Sequence, residues 1–303
     1  MFTAVTREKS KLRLALMGAS GTGKTLSALY IASGIVGDWG KIALIDTEHG
    51  RAKFYANRSD LQTGAFLYQE LCAPYTPDKY IQMVREGAQV VGEDGVVIVD
   101  SFSHAWDNEG GVLDINNANS KRYHGNSFMA WNETGKIQNN LVNTILSVNC
   151  HTIVTMRTKT EYAMQTNEKG KSVPVKIGLA PVQRDNVEYE FDIVMSIDRN
   201  HIAVASKDTT FLDNWSGVIT PDLGKKIIEW LDEGVEPELC ENCRKKIMPA
   251  CGRTIQQIVD GTVANYGKKL CWPCAQHAQA EKNKMKQEEP TQENITTGGN
   301  ENE

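Results

Sequence analysis

Short, mainly apolar runs alternate with longer segments whose apolar residues recur at helical spacing. The runs have the length of buried strands and fall at residues 12–17, 41–46, 95–100 and 151–156. After residue 25 and again over 81–91 and 128–148, apolar residues repeat every three or four positions, which predicts three helices. Strands that are apolar along their whole length are typical of parallel sheets covered on both faces. The pattern therefore predicts an α/β domain with a mainly parallel sheet.

Further strands and a helix are predicted to complete this domain. Residues 191–197 and 201–205 predict two strands joined by a tight turn, and residues 160–177 alternate as a hairpin does. A last helix begins at Thr220-Pro221, because threonine is a good N-cap and proline suits the first helical position. We therefore place the domain at residues 1–232.

The rest of the chain differs in composition. A short linker at 233–238 precedes a cysteine-rich module at 239–277. From residue 278 to 303 the chain is rich in Glu, Gln, Asn and Lys and nearly free of apolar residues. Such a segment cannot bury enough apolar surface to fold, so we expect a disordered polar tail.

Composition narrows the classes of protein. The 303 residues are 40% hydrophobic and carry a net charge of −5, so any contact with nucleic acid must use a local patch. No apolar run approaches the length of a membrane span, and residues 1–11 lack the apolar core of a signal peptide. These features predict a cytoplasmic protein with no membrane partner.

Residues 18–25 carry the most specific motif of the chain. The sequence is a glycine, four residues and then Gly-Lys-Thr, between a predicted strand and a predicted helix, which is the pattern of a phosphate-binding P-loop. Glycines let successive N–H groups face phosphate oxygens at a helix N-terminus. We expect Lys24 to reach the β- and γ-phosphates and Thr25 to offer its hydroxyl to Mg²⁺. The predicted nucleotide-binding residues are Gly18, Ala19, Ser20, Gly21, Thr22, Gly23, Lys24, Thr25 and Asp100.

Two acidic residues lie at the end of a predicted strand or just after one. Asp100 ends the run 95–100, where a P-loop enzyme needs a second acid to hold Mg²⁺; the alternative is an aspartate that caps a turn. Glu48 lies just past the run 41–46. Because the carboxyl ends of parallel strands open on one crevice, Glu48 could take a proton from an attacking water, and the alternative is a solvated loop residue.

The stretches Ile45–His49 and Val97–Ser101 resemble those of RecA-type recombinase ATPases, which pair a glutamate with an apolar strand ending in Asp-Ser. Over residues 11–232 the chain more closely resembles the compact RecA-like ATPases encoded by phages, including the single-strand-annealing type. Three further stretches support this likeness: Gln183–Asp198, Ser206–Asp208 and Thr220–Leu231. The resemblance implies a RecA-like P-loop NTPase core, a general-base role for Glu48 in ATP hydrolysis, and a homo-oligomeric ring or filament.

The sequence departs from that family at two positions. Recombinases often end the strand that corresponds to 151–156 with a glutamine that senses the γ-phosphate, whereas Arg157 follows it here. Related ATPases also carry a Lys-x-Arg pair whose cation reaches a neighbouring subunit's nucleotide. Lys207 is present, but Thr209 stands where the arginine would be. We predict a catalytic role in trans for Lys207; the alternative is a solvated lysine at a strand end.

The resemblance also implies two loops that contact single-stranded DNA, at about 107–127 and 159–176. Cations that track phosphates and aromatic rings that stack on bases are what strand binding requires. The candidate side chains in and beside these segments are Lys121, Arg122, Tyr123, His124, Phe128, Lys159, Tyr162, Lys169, Lys171 and Lys176. The alternative is a pair of solvated segments.

Five of the seven cysteines lie in the module 239–277. Cys240 and Cys243 form one Cys-x₂-Cys knuckle, and Cys271 and Cys274 form a second. Four thiolates in two knuckles suit a tetrahedral Zn²⁺ with no open position, so we predict a structural zinc site. DNA or protein docking by this module stays open.

Together these features predict a Mg²⁺-dependent ATPase that acts in phage-type DNA recombination or single-strand annealing, with Glu48, Lys24 and Lys207 as catalytic residues. The predicted cofactors are ATP, Mg²⁺ and Zn²⁺, and the predicted partners are single-stranded DNA and phage replication or recombination proteins. One alternative is an ATP-driven loader or motor accessory of a replication complex. Another is a nucleotide-gated assembly protein with little turnover. No base-reading residue distinguishes ATP from GTP.

Overall fold

A computed structural model describes residues 6–166 and 172–288. The sheet strands are β1 (Arg13–Gly18), β2 (Ile42–Asp46), β3 (Leu67–Glu70), β4 (Val96–Asp100), β5 (His151–Thr166), β6 (Ser172–Pro181), β7 (Ile193–Ile197), β8 (Ile202–Asp208) and β9 (Ser216–Val218). The helices are α1 (Lys24–Val36), α2 (Pro77–Val91), α3 (His104–Asp107), α4 (Val112–Arg122), α5 (Ser127–Ser147), α6 (Pro221–Asp232), α7 (Ile255–Tyr266) and α8 (Trp272–Glu288). Short 3-10 turns include Arg51–Tyr55 and Val187–Glu190.

The strands form one mostly parallel sheet in the order β3-β2-β4-β5-β1-β7-β8-β9, with β6 paired to β5. β1 lies between β5 and β7, parallel to both, and β2 and β4 continue the parallel part toward β3. The pairs β5–β6, β7–β8 and β8–β9 are antiparallel. This arrangement confirms the predicted α/β fold with a mostly parallel sheet.

Both faces of the sheet are covered, which explains why its central strands are apolar throughout. Leu14 and Leu16 of β1 pack on one face with α1 and α6, whereas Ala15 and Met17 pack on the other with α2 and α5. Every residue of β2 and β4 is buried. The carboxyl ends of β1, β2, β4 and β5 consequently meet at one edge, where the predicted site residues lie.

The described backbone forms two compact units, one within residues 10–233 and a second made from residues 6–9 with residues 234–288. In the second unit the Lys9 N–H donates to the Val235 carbonyl and the Val235 N–H donates to the Arg7 carbonyl, at 2.9 and 3.0 Å. These bonds join the described N-terminal residues to the segment 233–238 that was predicted as a linker, and the domain boundary at residue 232 stays a prediction.

The first part of the segment predicted as a disordered tail, residues 278–288, is helical in the structure. Helix α8 continues through Glu288, and residues 289–303 lie outside the described residues. Ala278 and Ala280, with the lysines, glutamates and glutamines that follow, are strong helix formers. A polar composition therefore did not prevent helix formation once the helix had started at the second cysteine knuckle.

Helices α1 and α6 approach so closely that glycine is required at their crossing. A Cβ atom on Gly34 would lie 1.9 Å from the Pro221 carbonyl oxygen, and one on Gly224 would lie 2.2 Å from the Ile31 carbonyl oxygen. We expect Gly34→Ala to lower the free energy of unfolding in urea by about 1–3 kcal/mol, because backbone atoms cannot move aside cheaply.

The matched control is Gly135→Ala in α5, where an added Cβ meets no atom within 4 Å. We expect this variant to gain roughly 0.5–1 kcal/mol, since alanine has the better helix propensity. Equal effects of the two substitutions would contradict the close crossing.

Candidate active site

The loop at residues 18–25 joins the carboxyl end of β1 to the first turn of α1. Gly21 and Gly23 adopt φ angles of +83° and +87°, which favour glycine. A Cβ on Gly18 would lie 2.6 Å from the Ile197 carbonyl oxygen. The glycines of the motif are therefore required by backbone conformation and by a close approach, and the loop presents its N–H groups at a helix N-terminus.

Lys24 and Thr25 occupy the first turn of α1 and face the same edge of the sheet. The buried Lys24 ammonium donates to the Gly18 and Ala19 carbonyls at 3.0 and 2.9 Å. Burial lowers the pKa of Lys24, while the charges of Asp100 and Glu48 act in the opposite direction. The Thr25 hydroxyl donates to Oδ2 of Asp100 at 2.6 Å.

Asp100 is the last residue of β4 and is only 3% exposed. Its Oδ1 accepts a hydrogen bond of 2.5 Å from the Thr155 hydroxyl of β5. Burial raises the pKa of Asp100, and the two hydroxyl donors oppose this shift. A threonine hydroxyl and a carboxylate in contact are the oxygen ligands that Mg²⁺ uses in P-loop enzymes, so the residues present fit that ion.

Glu48 follows β2, with its side chain 18% exposed. Its Oε1 accepts from Nε and Nη2 of Arg157 at 3.1 and 2.7 Å, and its Oε2 lies 3.4 Å from Nη1 of Arg51. Burial alone would raise the pKa of Glu48, but the hydrogen bond and charge of Arg157, with His104 and Lys24, hold it below the ordinary value. Glu48 is therefore ionised at neutral pH.

The loop that carries Glu48 is held by neighbouring polar groups. Oδ1 of Asp46 accepts from the Glu48 N–H at 2.5 Å, and its Oδ2 accepts from the Ala52 N–H at 3.1 Å. The buried Nδ1 of His104 lies 2.7 Å from Oγ1 of Thr47. Burial lowers the pKa of His104, and the charge of Arg157 adds to this effect, so the imidazole is neutral at physiological pH.

Sequence reasoning did not assign Thr155, His104 or Arg157 to the site. One feature of the sequence could have indicated Arg157: it directly follows an apolar run whose end lies at the site. Thr155 and His104 had none, because a threonine in a strand and a histidine after a strand are ordinary residues. The sheet register pairs Arg157 with Gly18, the first residue of the P-loop.

Lys207 is engaged within its own chain. Its ammonium donates to the carbonyls of Tyr189 and Phe191, the latter at 2.5 Å. Among the hydrogen bonds of the described residues, none joins Lys207 to Lys24, Glu48 or Asp100. A role in a neighbouring subunit's site stays a prediction.

The two predicted DNA-contacting segments differ in what the structure describes. Residues 108–126 form α4 and its flanking turns rather than an irregular loop, with Lys121 and Arg122 exposed and Phe128 80% exposed at the start of α5. Residues 159–166 and 172–176 belong to the antiparallel pair β5–β6. Lys169 and Lys171 lie outside the described residues.

The four cysteines of the two knuckles come together in the second unit. The sulfur atoms of Cys240, Cys243, Cys271 and Cys274 all lie within 4.8 Å of one another, and those of Cys243 and Cys271 are 3.6 Å apart. Zn–S bonds of about 2.3 Å in a tetrahedron place sulfur atoms roughly 3.8 Å apart, so this group fits Zn²⁺. Cys251 is exposed and outside the group.

The site combines a glycine loop between a strand and a helix with a hydroxyl, a carboxylate and a second acid at the carboxyl edge of a mostly parallel sheet. Together these features define a P-loop nucleoside triphosphatase. A family described as an AAA domain matches residues 10–240, and the chain belongs to that family of ATPase domains. A search of curated proteins finds no match. Over residues 6–166 and 172–288, no helix combines the length and apolarity needed to cross a membrane.

Proposed function

We propose that the protein is a Mg²⁺-dependent ATPase that acts on single-stranded DNA in recombination or annealing. The observation that carries the ATPase assignment is the meeting of Lys24, Thr25, Asp100 and Glu48 at one edge of the sheet. The phosphates would lie on the N–H groups of the P-loop, and Lys24 would exchange the Gly18 and Ala19 carbonyls for phosphate oxygens.

Each remaining side chain has a separate task. Thr25 and Asp100 would hold Mg²⁺, which neutralises phosphate charge when bound. Glu48 is ionised and half-buried, so it can accept a proton from the attacking water. Lys207 would act on the nucleotide of a neighbouring copy in a ring or filament, as the resemblance implies. Zn²⁺ on the four cysteines would be structural.

Exposed aromatic and cationic side chains support the DNA assignment. Phe128, Lys121 and Arg122 lie at the connection between α4 and α5. Trp106 and Trp131, both partly buried, stack with ring centroids 5.7 Å apart and border a cavity that Arg184 and Asp185 also line. Aromatic faces beside cations suit the bases and phosphates of a single strand, and a local patch is what a chain with net charge −5 requires.

The test is steady-state ATP hydrolysis with and without single-stranded DNA, for the wild type and Glu48→Gln. We expect DNA to stimulate the wild type. Glu48→Gln should lower the stimulated rate by about 10²–10⁴-fold, because the amide cannot accept the proton of water. Glu86→Gln, an exposed change on α2, is the matched control and should hydrolyse as the wild type does.

The other outcomes decide between functions. Hydrolysis that is indifferent to DNA would overturn the DNA assignment and favour a loader or motor accessory. Binding of ATP without turnover in the wild type would favour a nucleotide-gated assembly protein. Full activity of Glu48→Gln would remove Glu48 as the base.

A further inference from the structure

A chain of buried hydrogen bonds joins the ends of β2 and β4, the two strands that lead to the candidate acids. The Thr47 N–H donates to the Asp100 carbonyl at 2.7 Å, and the Ser101 N–H donates to Oγ1 of Thr47 at 2.8 Å. Thr47 and Ser101 are fully buried. Glu48 directly follows Thr47, and Asp100 directly precedes Ser101. The Thr47 hydroxyl therefore lies between the backbone of the candidate base and that of the candidate Mg²⁺ ligand.

The hydroxyl of Thr47 has one proton and two acceptors within reach. Nδ1 of His104 lies 2.7 Å from Oγ1, and the Ser101 carbonyl oxygen lies 3.3 Å from it. The buried Tyr80 hydroxyl donates to the same carbonyl at 3.1 Å. Because the contact with His104 is the shorter one and the carbonyl has a donor of its own, the geometry favours donation from Thr47 to His104.

The imidazole of His104 can accept this proton only in one form. Nδ1 must carry no proton, so the ring must be neutral with its proton on Nε2. Burial lowers the pKa of His104, and the charge of Arg157 adds to this effect. In the other neutral tautomer, Nδ1 would donate to the Thr47 carbonyl, 3.2 Å away, and the Thr47 hydroxyl would lose its closest acceptor.

Packing holds the His104 ring in place. His104 is 4% exposed, and its ring lies against that of the buried Tyr75, with centroids 5.4 Å apart. A ring fixed in this way holds its hydrogen-bond partner in one orientation. The turn that begins at Thr47 is thereby tied to the segment that follows β4.

We propose that His104 is a positioning residue for ATP hydrolysis, which accepts the Thr47 hydroxyl proton at Nδ1 and so fixes the turn that carries Glu48 against the end of β4. This inference rests on the proposed function, since it concerns the placement of the same acids. Catalysis requires the base and the metal ligand in a fixed relation, and a displacement of about 1 Å can cost 10²-fold in rate. His104 acts through Thr47 and not on the nucleotide.

Two substitutions separate the hydrogen bond from the volume of the side chain. The amide oxygen of asparagine, like Nδ1, is bonded to Cγ and can accept the proton, whereas leucine fills the space without an acceptor. We expect His104→Leu to lower kcat by about ten- to a hundredfold and His104→Asn to stay within about threefold of the wild type. KM for ATP should change little in both variants, because Lys24 and the phosphate loop are untouched.

Thr47→Val removes the other partner of the same hydrogen bond. We expect it to lower kcat as much as His104→Leu does, and the double variant to lose no more than either single one, because both changes break one interaction. Thr144→Val is the matched control. The buried Thr144 hydroxyl donates to the Asn140 carbonyl within α5, so its loss should leave kcat unchanged.

Nitrogen NMR of the full chain with ¹⁵N-labelled histidine supplies a readout that does not depend on turnover. The His104 signals are identified by their absence in His104→Asn. We expect them to show Nδ1 without a proton and Nε2 with one at neutral pH, and we expect the Nδ1 signal to shift in Thr47→Val, where the hydroxyl donor is gone.

Three results would overturn the proposal. The first is wild-type kcat in His104→Leu, and the second is a loss in His104→Asn as large as in His104→Leu. The third is a proton on Nδ1 of His104 in the wild type. A wild type with the expected tautomer and no turnover would instead remove the proposed ATPase, and the positioning role with it, while leaving the hydrogen bond between Thr47 and His104 in place.

Discussion

Asp100→Asn is expected to abolish most ATP hydrolysis while making the protein more stable. The carboxylate is 3% exposed and ends β4 beside Thr25, where it would hold Mg²⁺. An amide is a much weaker ligand for this ion, and losing one electrostatic contact of this kind costs about 10²–10³-fold in turnover. Steady-state hydrolysis at saturating Mg²⁺ and ATP measures this effect.

The gain in stability follows from the cost of burying a charge. Burial raises the pKa of Asp100 above its ordinary value of 3.8, so the folded protein binds the proton more tightly than the unfolded chain does. The resulting destabilisation is absent at pH values below about 4 and grows as pH rises through the folded pKa. Asparagine carries no charge. Near neutral pH we therefore expect the free energy of unfolding of Asp100→Asn to exceed that of the wild type by roughly 0.5–2 kcal/mol.

Urea unfolding in the presence of EDTA, at several values between pH 4 and pH 8, tests this prediction. The difference between Asp100→Asn and the wild type should shrink as the pH is lowered. Asp94→Asn, a substitution at a side chain that is 83% exposed, should change neither turnover nor stability by a measurable amount. If Asp100→Asn were less stable than the wild type at neutral pH, that would contradict the argument that burying the charge of Asp100 destabilises the fold.

The sequence allowed the contact between Asp100 and Thr25 to be anticipated, although 75 positions separate them. The reason is topological: an apolar run that ends in an acid lies beside the P-loop strand once a parallel sheet is assumed. The buried strands β1, β2 and β4 were predicted for the same reason. They are buried on both faces, so each stands out in the sequence as a continuous apolar run.

Other features gave no such signal. Strand β3 is short and mostly exposed at the sheet edge, with the sequence Leu-Tyr-Gln-Glu, so no apolar pattern marks it. Helix α4 is rich in asparagine and lacks a wide apolar stripe. The ion pair of Glu48 with Arg157 depends on side-chain conformations at the ends of two strands, and the crossing at Gly34 depends on the packing of two helices; neither is encoded in a local pattern.

Cys240→Ser is expected to release Zn²⁺ and to unfold the described part of the C-terminal unit, residues 234–288. The apolar cluster of this unit is small. Its seven buried members are Cys240, Ile247, Ile258, Val259, Leu270, Cys271 and Ala275, and two of them are knuckle cysteines. A core of this size rarely supplies enough free energy to fold alone. Structural zinc contributes about 10–16 kcal/mol in small domains, so a Zn²⁺ ion held by the four cysteines would dominate the stability of the unit.

The measurement is zinc content by mass spectrometry together with limited proteolysis of the full chain, with cleavage sites mapped. We expect Cys240→Ser to contain no zinc and to be cut within residues 234–288 at least tenfold faster than the wild type, while residues 10–233 resist cleavage. Cys251→Ser is the matched control, because Cys251 is exposed in the same unit but outside the sulfur group, and it should keep both zinc and protection.

A second experiment avoids dependence on one variant that could aggregate. A strong chelator should expose residues 234–288 of the wild type to protease, and added Zn²⁺ should restore protection, because ligand binding to the folded state alone stabilises it by mass action. Wild-type protein that is purified without zinc and resists protease would overturn the metal assignment. Packing alone would then hold four thiols within 4.8 Å of one another. A cluster of seven buried residues rarely supplies enough free energy for that.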